Sequence, residues 1–488
     1  MNLSMIRYIL GYVLAVEGLL MAPCSLVGLI YGEQEGWWFL AVGAVSLALG
    51  LLIARKKPSS QVFYLKEGCV STALCWIIIS AVGCLPFVFT GEIPRFTDAM
   101  FEVVSGFTTT GASILNDVEA LSHVSLFWRS FTHWVGGMGV LVFVLAVVPL
   151  SGGSHINLMR AESPGPSVGK LVPRLRHTAR ILYLIYIGLT LLEIVLLLAG
   201  RMPLFDALTT SFGTAGTGGF GIKNTSIGGY SAYIQWVVAV FMILFGVNFN
   251  AYYLLLMRHF RDAFSMEEVR AYLAVILGAS AVVFFNILRM SRGVFDALTK
   301  AVFQVASIIT TTGFATTDFD LWPQTSRLVL VLLMFIGACA GSTGGGMKVS
   351  RILIGAKTVI KEFGSYIHPK SIKKIKMDGK PIEHEVVRST NVYFIAFTTV
   401  FALSLFLLSF EGRDLVTSFT AVAATINNIG PGLNQVGPTC NFSFFSDFSK
   451  WVLIFDMLAG RLELFPMLML FHPALWKEGL SSRRERNK

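Results

Sequence analysis

Charged side chains are scarce in this chain. Only 14% of its 488 residues are Asp, Glu, Lys or Arg, whereas 54% are hydrophobic, and the mean hydropathy is +0.67. Soluble domains carry about a quarter charged residues. A chain with so little charge cannot cover itself with polar surface. The composition therefore excludes an ordinary soluble protein and predicts an integral membrane protein.

Clusters of reactive side chains are lacking as well. The six cysteines form no CxxC pair and no Cys/His cluster at metal spacing, so no redox or metal site is predicted. A membrane enzyme would need acids, histidines or a nucleophile gathered at one depth. The eight histidines are instead scattered, and most of them, including His133, are placed by the pattern near interfaces or loops.

Nucleotide-binding motifs in a suitable context are also missing. A GxGxxG pattern occurs at Gly216, Gly218 and Gly221, but no strand and helix flank it as in a dinucleotide-binding fold. The glycine-rich segment 337–348 lacks the adjacent Gly-Lys-Ser/Thr of a phosphate-binding loop. We therefore predict no ATPase, and any control by a nucleotide must come from another chain.

Long apolar runs are what the sequence has in abundance. A spanning helix needs about twenty mostly apolar residues, and ten runs qualify. The first could pass for a signal peptide, but it is longer than the usual apolar core and contains Glu17, so we interpret it as the first half of a retained helix pair. The ten runs are 5–31, 37–54, 68–90, 127–150, 179–200, 231–257, 270–289, 327–349, 390–410 and 450–475.

The distribution of Lys and Arg orients these runs. Loops on the cytoplasmic side are enriched in both residues. With ten spans, one side holds 28 of the 39 basic residues and the other holds 10, while Arg461 lies within a span. Both termini are therefore predicted to be cytoplasmic. The net charge of +10 follows from this topology and does not indicate nucleic-acid binding.

Four segments on the outer side share one pattern of an acid, a small residue and a glycine. The first contains SGFTTTGAS at 105–113, and its near-copy SIITTTGFA lies at 307–315. The aligned glycines are 108, 94 and 117 residues apart, so the chain contains a fourfold internal repeat. In chain order the glycines are Gly111, Gly219, Gly313 and Gly430, the small residues six positions earlier are Ser105, Gly213, Ser307 and Ala424, and the acids are Asp98, Asp206, Asp296 and Asp414.

Each segment is long enough for a short helix followed by an extended piece. The acid suits the N-cap or first turn, so the carbonyl end of the helix points into the membrane. Irregular backbone at that depth is tolerated only where it is buried in protein or lines a water-filled cavity. Four such loops around one axis present a ring of carbonyl oxygens, as in a cation selectivity filter. One such loop alone could equally be an ordinary outer turn.

The composition of the loops fits a filter. Glycine adopts the dihedrals that aim successive carbonyls at an axis, and Thr and Asn side chains can brace the loop from behind. No ring of Asp or Glu occupies the glycine layer, so selection of divalent cations is not expected. The predicted ion-binding residues, where K⁺ would lie, are Thr109, Thr110, Gly111, Thr217, Gly218, Gly219, Thr311, Thr312, Gly313, Asn428, Ile429 and Gly430.

These motifs resemble those of the Trk/Ktr/HKT superfamily of potassium transporters, and specifically its TrkH/TrkG-type potassium uptake subunits. The resemblance covers most of the chain and rests on SGFTTTGAS, TGGFG, SIITTTGFATTDF, INNIGPGL, WVGGMGV and GRLELF. It implies an all-α polytopic membrane protein with ten transmembrane helices. Four pseudo-symmetric helix–pore-loop–helix units surround one pore, and an N-terminal helix hairpin is added. The expected divisions are 1–60 for the hairpin, then 61–158, 159–262, 263–365 and 366–488 for the four units, the last with a basic cytoplasmic tail.

The resemblance also implies the activity, which is potassium transport across a bacterial plasma (inner) membrane, with K⁺ as the transported ion and no cofactor. In the plant branch, serine in place of the first loop's glycine accompanies sodium transport, so glycine in all four loops favours potassium. The loops are not equal, because Thr217–Gly218 and Asn428–Ile429 replace the Thr-Thr pair. A less selective Na⁺/K⁺ pathway stays the alternative, and coupling to Na⁺ or H⁺ stays open.

The eighth run contains GACAGSTGGGMK at 337–348, which is too rich in glycine for a continuous helix. In the family a comparable intramembrane loop lies under the filter and acts as the gate, whereas the alternative is a close helix-packing site. Lys348 follows directly and is interpreted as an anchor at the inner boundary. The gating glycines implied are Gly337, Gly341, Gly344, Gly345 and Gly346.

Arg461 lies inside the tenth run, where a charge is costly and faces a pore or a partner. In the family an arginine at the matching position projects into the conduction path as an electrostatic barrier, and we carry that gating role to Arg461. The alternative is a buried pair with Glu463 or Glu193.

Family members also pair with a cytosolic ring of nucleotide-binding RCK domains, and the family suggests a homodimer of pores embedded in membrane lipids. The basic stretch 348–388 is either the docking surface for that ring or a consequence of the topology.

Overall fold

The computed structural model describes residues 1–58, 64–139, 175–369, 374–473 and 475. Parts of several predicted features lie outside these ranges. They are the end of the 127–150 span, most of the basic loop 160–180, residues 370–373 and most of the tail. Within them every long element is an α-helix, and the strands are the two-residue pair Lys376–Met377 and Lys380–Pro381.

The described helices fall into an N-terminal group and four successive groups. The first comprises Leu3–Leu20, Ala22–Tyr31 and Glu35–Ala54. The others, in chain order, are Leu65–Gly83, Leu85–Thr90, Phe96–Phe107 and His123–Gly137; then Leu175–Ala199, Leu204–Gly216, Ala232–Phe245, Phe249–Leu256 and Phe260–Ser265; then Glu267–Ile287, Val294–Ile309, Gln324–Ile336 and Val349–Ile367; and last His384–Ser409, Leu415–Ile426, Asp447–Arg461 and Phe465–Met469. Short 3₁₀ turns lie at Phe319–Leu321 and Asn434–Val436.

Six helices in the described ranges are long and apolar enough to cross a membrane, or seven if one bent pair is counted as a single span. The six are Leu3–Tyr31, Glu35–Ala54, Leu65–Thr90, Arg180–Ala199, Glu267–Ile287 and His384–Ser409. They coincide with the first, second, third, fifth, seventh and ninth apolar runs. The structure is therefore the all-α, multi-pass membrane fold that the sequence predicts.

Three of the other runs are interrupted. The predicted break in the eighth is present, since the helix Gln324–Ile336 ends at Gly337. The sixth and tenth, which we expected to be continuous, are broken too. The sixth bends by 89° between Ala232–Phe245 and Phe249–Leu256, because Asn248 caps a new helix there. The tenth stops at Arg461 and is followed by two positive φ angles and Pro466.

The two helices of the N-terminal hairpin approach each other through a seam of glycines. A Cβ atom on Gly18 would stand 2.4 Å from the carbonyl oxygen of Gly43, and one on Gly50 would stand 2.5 Å from that of Gly11. Within a membrane, where the hydrophobic effect does not drive helices together, such small residues let the backbones pack closely. This seam brings the two backbones of the hairpin into direct contact.

Four short helices occupy the places that the repeat predicts: Phe96–Phe107, Leu204–Gly216, Val294–Ile309 and Leu415–Ile426. Asp98, Asp206 and Asp296 lie in their first turns, and Asp414 is the N-cap of the fourth. The hydroxyl and the backbone N–H of Thr417 both donate to Asp414 and lower the pKa of that carboxyl. The acids thus start the four helices, which we call the pore helices, and each helix leads into one Thr/Gly loop.

Candidate functional site

The four pore helices end in the same backbone geometry. In each, a residue just after the helix has a left-handed φ, and so does the glycine two positions later. The first set is Thr109, Thr217, Thr311 and Asn428 with φ of 55°, 56°, 59° and 55°; the second is Gly111, Gly219, Gly313 and Gly430 with 77°, 76°, 84° and 95°. Left-handed dihedrals are costly for side chains with a Cβ, so their repetition in four loops marks one shared structure.

The residue between these two positions closes each cap. Its N–H donates to the carbonyl of the small residue that the repeat places six positions before the glycine, which is the hydrogen bond of a Schellman cap. The four bonds are Thr110 to Ser105 (2.8 Å), Gly218 to Gly213 (2.8 Å), Thr312 to Ser307 (2.9 Å) and Ile429 to Ala424 (2.8 Å). The small residues in the repeat therefore sit where the returning loop meets its helix.

The four loops approach one another in a closed cycle. A Cβ on Gly111 would stand 2.0 Å from the carbonyl oxygen of Gly218, and one on Gly219 would stand 1.9 Å from that of Thr312. A Cβ on Gly313 would stand 2.0 Å from the oxygen of Ile429. The fourth loop closes the cycle more loosely, because the oxygen of Thr110 is 2.8 Å from a Cβ on Gly430. Each glycine thus lies against a backbone carbonyl of the following loop.

Threonine and asparagine side chains brace three of the loops, as expected. The hydroxyls of Thr108 and Thr110 are 2.8 Å apart, and those of Thr310 and Thr312 are 2.7 Å apart. Asn428 donates to the Thr110 hydroxyl at 3.0 Å and so joins the fourth loop to the first. The second loop has no hydroxyl at the corresponding position, because Gly218 replaces the threonine.

The predicted gating glycines pack directly against the third and fourth loops. The N–H of Gly345 donates to the Thr311 hydroxyl at 2.6 Å, and the N–H of Gly346 donates to the carbonyl of Asn427 at 3.0 Å. Gly337, Gly341 and Gly346 have positive φ, so side chains would strain this segment. The segment 337–348, which we call the intramembrane loop, is therefore non-helical backbone in contact with the ring of loops.

The break in the sixth span anchors this intramembrane loop. The N–H of Cys339 donates to the carbonyl of Gly246, and the N–H of Phe249 donates to that of Gly341. The carboxylate of Glu268 accepts from the backbone of Ala340 at 2.6 Å.

Asn248, at the break, donates to the other oxygen of Glu268 at 3.2 Å. Sequence reasoning missed both of these residues. A Gly-Val-Asn stop inside an apolar run was the available signal for the break, but nothing in the sequence joins it to Glu268.

Arg461 connects the intramembrane loop to the first unit. Its guanidinium donates to the carbonyl of Thr343 at 2.9 Å and to those of Gly136 and Gly137 at 2.5 and 3.0 Å. Glu463, one of its two alternative partners, forms a salt bridge with Arg351. Glu193, the other alternative partner, is fully buried.

Lys348 is not an anchor at a boundary. Its side chain turns back to the carbonyl of Gly344, and only 2% of the residue is exposed. A buried ammonium needs such acceptors. The interpretation of Lys348 as an anchor at the inner boundary is therefore wrong, because its side chain is buried against the intramembrane loop.

A buried ion pair lies beside the first two loops and was also missed. Glu102 and Arg129 form a salt bridge at 2.8 Å with 0% and 2% of their side chains exposed. Glu102 also accepts from the backbone of Ile114, and Arg129 donates to the carbonyl of Gly221. The pair therefore joins the chain leaving the first loop to the chain leaving the second.

Comparison with known proteins gives a consistent result. A family model described as "TrkH: Cation transport protein" matches residues 35–478. The Trk system potassium uptake protein TrkH of Salmonella typhimurium is 37% identical over 98% of this chain and 100% of its own length. TrkG of Escherichia coli K12 is 32% identical over 98% and 100%. The crystal structure of the potassium transporter TrkH from Vibrio parahaemolyticus matches with a TM-score of 0.88 at 34% identity, covering 98% of this chain and 100% of that one.

These comparisons place the protein among membrane transporters rather than enzymes. By the family match over most of its length, the chain belongs to the TrkH family of cation transport proteins.

Proposed function

We propose that this protein transports potassium ions across the membrane through a filter made of its four Thr/Gly loops. The closed cycle of the loops carries this proposal, since each glycine lies against a carbonyl of the next loop. Cation filters use such rings of backbone carbonyls to replace the ion's hydration shell. Relatives over almost the whole chain are named potassium uptake proteins, which supports potassium as the ion.

In this proposal the ion binds to carbonyl oxygens of the three residues in each loop that end at the glycine. The set comprises Thr109, Thr110, Gly111, Thr217, Gly218, Gly219, Thr311, Thr312, Gly313, Asn428, Ile429 and Gly430. The left-handed residue and the glycine turn the backbone, and the Schellman bond fixes the intervening peptide. The proposed units are 61–158, 159–262, 263–365 and 366–488, with 1–60 as a separate hairpin.

The intramembrane loop is proposed to be the gate. It touches the filter through Gly345 and Gly346, and Gly337, Gly341 and Gly344 give it the bends that a movable backbone segment needs. Arg461 brings a positive charge to it, and Lys348 brings a buried amine. A cation leaving the filter therefore meets an electrostatic barrier that a shift of the loop would remove.

The location and partners complete the proposal. We place the protein in the bacterial inner membrane with both termini in the cytoplasm, as a homodimer. We also assign it a cytosolic RCK-type regulatory subunit that docks on the basic stretch 348–388. In that stretch the salt bridge of Lys357 with Glu267 already uses one lysine within the chain. Lys348 and Arg351 are buried and bonded within the chain as well, whereas Lys361, Lys374 and Lys380 are exposed and would face a partner.

Purified protein in liposomes tests the function. Rubidium uptake driven by an imposed potential should be competed by K⁺ and weakly by Na⁺, and imposed Na⁺ or pH gradients should reveal any coupled ion. The looser approach at Gly430 is the observation that favours the second candidate, a less selective Na⁺/K⁺ pathway. Equal competition by the two ions would select that candidate, and no uptake above protein-free liposomes would refute both.

A further inference from the structure

We propose that His133 positions the second filter loop and so helps to set ion selectivity, in place of the side chain that Gly218 lacks. The inference rests on the proposed filter. The residue before the filter glycine is Thr110, Thr312 or Ile429 in the other three loops, and only the second loop has glycine there. The structure offers a physical reason for that departure.

The imidazole of His133 fills the space that a side chain at position 218 would need. A Cβ on Gly218 would stand 2.0 Å from Nδ1 and 2.2 Å from Cγ of His133. Gly218 itself is not at positive φ, so the backbone would tolerate another residue. The ring, and not the dihedral angle, therefore excludes a side chain from this position.

His133 also holds the loop on either side of its glycine. Its Nε2 accepts a hydrogen bond from the N–H of Phe220 at 3.3 Å, and the centroids of the two rings are 4.3 Å apart. A Cβ on Gly216 would stand 2.1 Å from the His133 carbonyl oxygen. His133, a residue of the first unit, thus contacts the second loop at Gly216, Gly218 and Phe220.

The protonation of the ring follows from these contacts. Nε2 accepts, so the bound form is the neutral tautomer with its proton on Nδ1. The residue is fully buried. A neutral ring adds no charge beside the filter. We therefore infer that it acts by filling space and by holding the backbone of the second loop in place. Loops one and three obtain the same support from their own hydroxyls.

A double-mutant cycle tests this assignment. His133→Ala should lower rubidium uptake and the preference for K⁺ over Na⁺, because the second loop loses its support. Gly218→Thr should do the same, because the new side chain meets the ring. His133→Ala combined with Gly218→Thr gives the second loop the Thr-Thr-Gly of loops one and three. We expect the rubidium uptake of the double variant to be about tenfold higher than the product of the two single fold-losses predicts, as is typical of residues in direct contact.

Two further variants separate positioning from folding. His133→Gln keeps an acceptor near the place of Nε2 and should retain more selectivity than His133→Ala. Val135→Ala removes a comparable buried group from the same helix, so it should reduce the amount of folded protein without changing the Rb⁺/Na⁺ ratio.

Strictly additive losses, or an unchanged ion ratio in folded His133→Ala, would overturn the inference. Should Gly313→Ser abolish uptake while the cycle stays additive, the filter stands and only the role of His133 fails. Normal uptake in Gly313→Ser would instead refute the filter itself.

Discussion

The carbonyl oxygen of Gly218 lies 2.0 Å from the position that a Cβ on Gly111 would occupy. The two residues are 107 positions apart in the sequence, and no side chain separates their backbones. Equivalent approaches join the second loop to the third and the third to the fourth. Gly111, Gly219 and Gly313 are therefore each needed both for a positive φ and for the missing side chain.

Substitution of a filter glycine should accordingly depend on the loop. Gly111→Ala, Gly219→Ala and Gly313→Ala place a methyl group on a backbone carbonyl, and overpacking of this kind costs about 1–3 kcal/mol. We expect loss of rubidium uptake in all three. Gly430→Ala should be milder, since its nearest carbonyl oxygen is 2.8 Å away, and should reduce selectivity more than rate. Uptake and Na⁺ competition in liposomes measure both quantities.

The matched control for this series is Gly278→Ala. Gly278 lies in the helix Glu267–Ile287, and a Cβ there meets nothing within 4 Å. Alanine in a helix interior is favoured by about 1 kcal/mol over glycine, so this variant should fold and transport normally. Equal effects at all four filter glycines would show that the looser closure at Gly430 has no functional meaning.

Removal of Arg461 should raise potassium flux. The side chain binds the carbonyl of Thr343 in the intramembrane loop and those of Gly136 and Gly137 after the first loop. Arg461→Ala removes a positive charge and also the hydrogen bonds that link the intramembrane loop to the first unit. Tracer flux in liposomes measures the expected gain in potassium flux. Arg461→Lys keeps the charge but replaces the wide, planar guanidinium with a single compact ammonium, so it separates the electrostatic barrier from the hydrogen bonds that span the loop and the first unit. Unchanged flux in well-expressed Arg461→Ala would count against both roles.

The four pore helices and their loops were predictable because their signals are local and repeated. Pore-helix acids, small residues and glycines recur at fixed spacing, and the structure places them at helix starts and caps and in the loops. The break at Gly337 was predictable for the same reason, since glycine is a poor helix former. Local composition thus identified most of the chain's architecture.

The supporting residues were not predictable because their partners are distant in sequence. His133 meets a loop 85 residues later, and Glu268 binds the backbone of Ala340. An acid next to an apolar run also looks like an ordinary helix start. Arg461 was identified as functional, yet its carbonyl partners could be found only in the folded chain.

Loss of the Glu268 carboxylate should loosen the intramembrane loop. One oxygen of Glu268 accepts from the backbone of both Ala340 and Ser350. Glu268→Ala leaves these buried donors unsatisfied, which costs about 1–3 kcal/mol each. We expect a lower melting temperature and higher basal flux. Glu268→Gln keeps an acceptor oxygen and should lie nearer the wild type in both measurements. If the two variants behave alike, the hydrogen bonds to the loop are not what matters.

The buried pair of Glu102 and Arg129 should be more sensitive to removal of one partner than of both. Breaking such a pair leaves an uncompensated buried charge and costs about 3–5 kcal/mol, whereas replacing both with apolar groups is often tolerated. Glu102→Ala should therefore reduce thermal stability in detergent more than Glu102→Leu combined with Arg129→Met. The double variant still loses the bonds to Ile114 and Gly221, so its ion selectivity should fall although its stability recovers. A double variant less stable than Glu102→Ala would show that the pair contributes through its hydrogen bonds to the loops and not through charge compensation.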